Sequence, residues 1–372
     1  MRFIGLSLFF CCFPGLVQAS ERGVHWGVLP VFNYNSDQGS NLGGVAQRFN
    51  YSEDPGVPFR DLLTVQSTFA ERGPKVIYAA FEKIGIEPNH PRYRFELFAA
   101  QNDFQNYFGL GNHTSRVPIL ENQAFYQYAL KQISLELSVR QATPLAQGLD
   151  AQVGISPQAL VQAAHSGASK FKEDFSSQLS RLYSTRFFSR LILERRNSEF
   201  IPSQGYYALG SLLIAPGFLG TQDTWMRADF DYRRYDPILP DRFLWLATQW
   251  KYTVSSSQAP LSERARLGGR STLRGLPLNR FTDAQAMLVR TELRSVNFKA
   301  QVFDLPLKFG EGIFAEAGRV GNSLARLAAE STHATWGFSI FGSYFTDDFL
   351  GGADFGFSED GLHFYFNLGH AF

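Results

Sequence analysis

Trp225-Met226-Arg227-Ala228-Asp229-Phe230-Asp231-Tyr232-Arg233 splits into two faces when read at every second residue. Met226, Ala228, Phe230 and Tyr232 form an apolar face. Trp225, Arg227, Asp229, Asp231 and Arg233 form the opposite, mostly charged one. A period of two is the signature of a β-strand with one face in each of two environments. In a water-soluble sandwich the apolar face is the core. In a membrane barrel it meets lipid and the charged face lines a lumen. Alternation alone does not choose between them.

The pattern recurs. Phe187, Ser189, Leu191 and Leu193 oppose Arg186, Arg190, Glu194 and Arg196. Ile133, Leu135, Leu137 and Val139 oppose Gln132, Ser134, Glu136, Ser138 and Arg140. Met287, Val289, Thr291 and Leu293 oppose Leu288, Arg290, Glu292 and Arg294. Each polar face mixes arginine with carboxylate, which cross-strand pairs and water can satisfy in a wide lumen. Sixteen strands are expected, near 24–36, 41–52, 59–71, 74–83, 91–101, 124–140, 146–156, 184–196, 204–215, 223–235, 242–254, 284–295, 306–318, 334–345, 348–358 and 362–372. An even number suits a bacterial single-chain barrel. Glu359-Asp360-Gly361 and Asp347-Asp348 read as tight turns, and 102–123, 255–283 and 319–333 as long loops. Phe171 to Leu182 is expected to carry a short helix.

Composition favours lipid. Charged residues are 19% of the chain, below the roughly 25% of soluble domains, and aromatics are 15%, with 36 Phe. Met1 to Ala19 reads as a secretory signal: Arg2 supplies the positive start, Ile4 to Phe13 a short apolar core, and Val17-Gln18-Ala19 the cleavage site. Residues 20–372 then form one barrel domain. Both cysteines, Cys11 and Cys12, fall in the leader, so no disulfide or thiolate ligand remains. Removing Arg2 from the 35 basic residues leaves 34 against 34 acidic ones, so no basic surface points to nucleic acid.

In the last strand Leu362, Phe364, Phe366, Leu368, His370 and Phe372 share one face, with His363, Tyr365, Asn367, Gly369 and Ala371 on the other. By this parity His363 faces the lumen and His370 faces lipid. A terminal aromatic with alternating apolar residues behind it (Phe364, Phe366, Leu368, Phe372) resembles the signal read by barrel assembly machinery. Trp250, Tyr252, Trp336, Tyr344, Phe364 and Phe366 are candidates for interfacial aromatic belts.

Between the eleventh and twelfth strands lies Arg266-Leu267-Gly268-Gly269-Arg270-Ser271-Thr272-Leu273-Arg274-Gly275-Leu276. It resembles the sixth extracellular loop of the BamA/TamA insertases and of two-partner secretion transporters such as FhaC, the bacterial surface antigen type. Their hallmark is a (Val/Ile/Leu)-Arg-Gly-(Phe/Tyr) tetrad on a loop folded back into the lumen. Here the tetrad is Leu273, Arg274, Gly275 and Leu276, with Leu276 replacing the usual aromatic. The resemblance implies that Arg274 meets acidic side chains on strands twelve and thirteen, where Glu292 and Glu316 face the lumen by parity. Gly275 is expected to allow close backbone approach or positive φ. Tyr107-Phe108-Gly109-Leu110-Gly111-Asn112, Glu194-Arg195-Arg196-Asn197 through Gly205, and the opening Leu29-Pro30 to Gly39 are similar to further stretches of the family.

The first strand starts close behind the cleavage site, so a barrel-only member without the family's periplasmic POTRA domains is expected. The function implied is a non-enzymatic outer-membrane protein of a Gram-negative bacterium. It would support insertion or translocation of a polypeptide or other substrate with a separate periplasmic or secreted partner, amid outer-membrane lipid and lipopolysaccharide. The alternatives are a passive pore or structural barrel, and a lipid-modifying enzyme. The enzyme needs Ser, His and an orienting group together at the outer rim, and no strand presents such a set on one face. No His/Asp/Glu set has zinc-site spacing, and no cofactor is implied.

Overall fold

The computed structural model describes residues 23–51, 59–85, 90–117, 120, 124–175, 179–199, 201–221, 223–239, 244–302, 305–344, 350–368 and 370–372. The expected leader and the Asp347-Asp348 turn lie outside the described residues.

The strands of the barrel are β1 (Gly23–Asn35), β2 (Gly39–Tyr51), β3 (Asp61–Ala70), β4 (Lys75–Ile84), β5 (Arg92–Asn106), β6 (Gln127–Ala142), β7 (Leu149–Ala164) and β8 (Leu179–Glu194). They continue with β9 (Gly205–Ala215), β10 (Trp225–Leu239), β11 (Leu244–Ser255), β12 (Gln285–Val302), β13 (Leu305–Gly321), β14 (His333–Tyr344), β15 (Leu350–Ser358) and β16 (Gly361–Leu368). Each pairs antiparallel with its sequence neighbours, and β1 pairs with β16, so the sheet closes on itself. Two three-residue strands, Ala265–Leu267 and Phe281–Asp283, form a separate ribbon within the β11–β12 connection. Two short helices, α1 (Lys170–Phe175) and α2 (Leu324–Ala329), lie in the β7–β8 and β13–β14 connections.

The alternation separates an apolar outer wall from a charged interior. Trp26, Val28, Phe69, Ile77, Ile133, Phe187, Phe230, Ile313 and Trp336 are exposed. Arg186, Arg227, Arg290, Glu292, Arg294 and Glu316 are buried. A continuous apolar exterior of this kind belongs against hydrocarbon. The long connections β5–β6, β7–β8, β11–β12 and β13–β14 gather at one end. In transmembrane barrels that end is extracellular and the short turns are periplasmic.

Strand number and order match the sequence expectation, but several strands run further than expected. β5 extends to Asn106, β7 to Ala164, β12 to Val302 and β13 to Gly321, and β8 begins at Leu179. The apolar alternation stops at the edge of the hydrocarbon, whereas the backbone ladder continues through polar residues such as Gln101 to Asn106 because every N–H and C=O still needs a partner. For the same reason the end of the helix expected over Phe171 to Leu182, from Leu179 onward, is strand. Lys170–Phe175 is helical, with Phe171 packed among Tyr107, Tyr128 and Leu261, and 176–178 lie outside the described residues.

The last strand also departs from expectation. Pairing ends at Leu368 rather than Phe372, and the chain then turns inward. Phe372 is buried beneath Arg290 and Arg294, whose guanidinium carbons sit 4.6 and 4.8 Å from its ring centre. His370 does not face lipid: its ring meets Phe341, one of the buried residues grouped with Tyr235, Trp245 and Phe372. The inward turn has a physical cause. Arg290 and Arg294 are fully buried and need acceptors, and the carbonyls of Ala371 (3.3 Å from Arg290 Nη1) and Phe372 (2.9 Å from Arg294 Nη2) supply them.

Candidate functional site: a loop anchored in the lumen

The β11–β12 connection builds its own small framework. Its ribbon pairs Ala265 with Asp283, Arg266 with Thr282 and Leu267 with Phe281. Gly268 and Gly269, both at positive φ, reverse the chain after it. A side chain at Gly268 would collide with the Pro277 carbonyl, 2.1 Å from an ideal Cβ. The Thr272 hydroxyl closes the turn, donating to the Gly268 carbonyl and accepting from the Gly268 N–H (2.9 and 2.8 Å). Leu267, Leu273, Leu276 and Phe281 pack on Leu288 and Val320 of the barrel wall. Leu276 therefore fills a core position in the loop, and burying one such side chain contributes roughly 1.5–3 kcal/mol.

This framework presents Arg274 to the inner faces of β12, β13 and β15. Arg274 Nε donates to Glu316 Oε1 (2.6 Å), Nη2 to Glu292 Oε2 (2.9 Å) and Nη1 to Asp354 Oδ1 (3.1 Å). Its backbone N–H donates to the other Glu316 oxygen (2.6 Å). The guanidinium lies 3.4 Å above the centre of the Phe314 ring. Arg274 has no solvent exposure. The carboxylates are fixed from behind: Thr335 donates to Glu316 (2.9 Å) and Ser339 to Glu292 (2.8 Å). Arg290 reaches Glu316 (2.9 Å from Nε), Arg294 reaches Glu292 (3.4 Å), and Arg270 reaches Asp354 (2.9 Å).

Glycines set how closely loop and wall approach. Gly275 has no positive φ among the described residues; it is needed for proximity, since a Cβ there would lie 2.4 Å from the Phe357 carbonyl. Opposite it, a Cβ on Gly356 would lie 2.5 Å from the Arg274 carbonyl. The Ser358 hydroxyl donates to the Gly275 carbonyl at this contact.

Sequence reasoning named Arg274, Glu292 and Glu316, and the fold brings these three together. It did not name Asp354, Arg270, Arg290, Arg294 or Phe314 as members of the cluster. Parity carried a signal for Asp354: in Gly352-Ala353-Asp354-Phe355-Gly356 the acid shares the inward face with Gly356, which leaves room for the loop. The terminal set is dispersed. Phe366 is exposed and, like Phe364, packs on β1, with Phe32–Phe366 and Tyr34–Phe364 ring centres 5.9 Å apart. Phe372 is inside. Leu368 pairs its backbone with Gly351, and its side chain lies outside the described residues.

The Omp85 superfamily domain model matches residues 89–339. The chain belongs to the Omp85 superfamily. Its fold is similar to that of BamA from Haemophilus ducreyi lacking POTRA domains 1–3, at 12% identity, TM-score 0.62 and coverage of 91% of this chain and 69% of that one. It is also similar to CdiB from Escherichia coli (13% identity, TM-score 0.58, 94% and 63% covered). CdiB from Acinetobacter baumannii resembles it too (12% identity, TM-score 0.53, 94% and 60% covered). The chain thus spans about 60–69% of the length of these structures. No curated protein matches it.

Other connections of this Omp85 barrel clasp the loop from the rim. Gly111 N–H donates to the Thr282 carbonyl (2.9 Å). Asn112 joins the Val320 N–H (2.9 Å) to the Ser331 carbonyl (2.8 Å). Asp37, in the β1–β2 turn, accepts from the Leu278 N–H (3.0 Å). Arg280 ties the loop to Asp360 (2.7 Å) and Thr114 (2.8 Å). On the far side of the lumen a polar cavity of about 470 Å³ remains, lined by Tyr78, Arg94, Glu96, Arg190, Asp231 and Arg233.

Proposed function

We propose that this Omp85 barrel is the membrane-spanning unit of a device in the outer membrane of a Gram-negative bacterium. It inserts a polypeptide into that membrane or passes one across it, working with a periplasmic or secreted partner protein. The observation that carries this reading is the seam. β1 is paired with β2 along its whole length, from Gly23–Tyr51 to Asn35–Gly39. With β16, among the described residues, it is paired at Tyr34–Phe366 and Asn35–Tyr365, beside a Ser36–Phe364 clasp. An unpaired strand edge in hydrocarbon is costly. It is also a template for an added strand, because backbone bonds supply affinity without demanding a particular sequence. A client strand can thus complete the edge that β1 leaves open, while the anchored loop keeps the lumen closed.

Cysteines at Tyr34 and Phe366 joined by a cleavable thiol cross-linker test this. Proteoliposomes holding the cross-linked protein are expected to insert an unfolded β-barrel client at least several-fold more slowly than the uncrosslinked form, with recovery on cleavage. Insertion indifferent to the cross-link would reject the seam as the working part. A passive pore is the second reading, favoured by the cavity beside the loop. Steady ohmic conductance of the purified protein in planar bilayers, with no client inserted, would decide for it.

A further inference from the structure

The outer wall of β3–β7 carries an arrangement that neither the seam nor the loop uses. Ladder register puts Phe69, Lys75, Gln101, Lys131 and Val161 at one height, each directly paired with the next. One step further into the membrane the row is Ile77, Ala99, Ile133 and Ala159. Lys75 and Lys131 are exposed, and among the described residues neither is in an ion pair. With strands about 4.8 Å apart, their backbones stand roughly 10 Å from each other. Long flexible arms can close that gap onto one anionic group. Below them Ile77 and Ile133, both exposed, flank the small Ala99, leaving an apolar groove of about 390 Å³.

Lys75 follows the β3–β4 connection and Lys131 lies near the start of β6, so the row stands at the end of the barrel that holds the long loops. Asp103, one step nearer the rim on β5, has both oxygens engaged by the Gln101 amide (3.1 and 3.0 Å). Two cations level with the headgroups, above a chain-wide apolar slot, match an amphiphile with a phosphate at its head and saturated chains below.

We propose that this groove binds one phosphorylated, multiply acylated glycolipid of the outer leaflet, lipid A in chemistry, with Lys75 and Lys131 on a phosphate and one acyl chain along Ile77, Ala99 and Ile133. The proposal rests on the outer-membrane reading above, with the long loops outward. Purified protein in detergent, titrated with lipid A and read by native mass spectrometry, tests it. Wild type is expected to retain one lipid A. K75Q/K131Q is expected to weaken retention about twenty-five-fold, from roughly fivefold for each lysine beside an anionic headgroup. Lipid A stripped of its phosphates is expected to bind wild type as weakly as intact lipid A binds the double variant. Ala99→Phe, which fills the slot and keeps both lysines, is expected to lose binding while its folded band on unheated gels persists. Equal retention by wild type and K75Q/K131Q, or by phosphorylated and dephosphorylated lipid, would overturn the site. A chain monodisperse in plain buffer would instead overturn the membrane reading itself.

Discussion

Arg274 carries a permanent charge with no route to solvent, and three carboxylates are arranged around it. Removing it leaves Glu316, Glu292 and Asp354 underneutralised in a dry site, although Arg290, Arg294 and Arg270 each still touch one of them. Breaking a buried pair by deleting one partner costs about 3–5 kcal/mol. Arg274→Ala is therefore expected to lower the temperature at which the folded gel band is lost and to raise conductance in planar bilayers. Arg274→Lys keeps the charge but not the planar fork that meets three acceptors at once, so it should fall between. A variant unchanged in both measurements would leave Arg274 without an anchoring role. Phe372 separates two explanations of a terminal aromatic. A residue read only by assembly machinery is dispensable once the barrel refolds by itself in lipid. A residue under two guanidinium groups is not, since each such contact contributes about 2 kcal/mol when desolvated. Phe372→Ala is expected to destabilise the barrel refolded in lipid without any assembly factor, measured by the same gel transition.

At the scale of elements, docking of the β11–β12 connection depends on bare backbone. Gly356 on β15 and Gly275 on the loop leave no room for a methyl group between loop and wall. Gly356→Ala is expected to lift the tetrad from the wall, exposing residues 268–279 to added protease on the loop side. Gly210 on β9 is the matched control, because a Cβ there meets nothing within 4 Å; Gly210→Ala should leave the loop protected. Cleavage of both variants at the same rate would show that close approach at Gly356 does not hold the loop.

For the whole molecule, a closed ring with a filled lumen differs from a ring with an open one only by the loop. Replacing residues 268–279 with a tight turn keeps the ribbon pair Leu267–Phe281 as the joint. It should leave the barrel closed and raise single-channel conductance several-fold. The conductance of the shortened protein should then depend on the charged wall around Arg94, Arg190 and Arg233 that already borders the cavity. If conductance does not change, the lumen is blocked elsewhere; the buried group of Tyr235, Trp245, Phe341 and Phe372 is the next place to look.

Sequence by itself determined the barrel. Period-two alternation is a local property of each strand, and sixteen such segments with an aromatic, charge-poor composition leave few other folds. Resemblance of the Leu273–Leu276 tetrad to a known loop marked Arg274, and parity, which assigns an inward or outward face from position in a strand, put Glu292 and Glu316 on the lumen side. What only the tertiary structure decided depends on chain segments far apart in sequence. Asp354 joined the cluster because closure of the ring brings β15 within reach of the loop, 80 residues from Arg274. Phe372 left its expected face because, once strand pairing ends, parity no longer constrains the chain. Two buried arginines on β12 then provided better partners than lipid did.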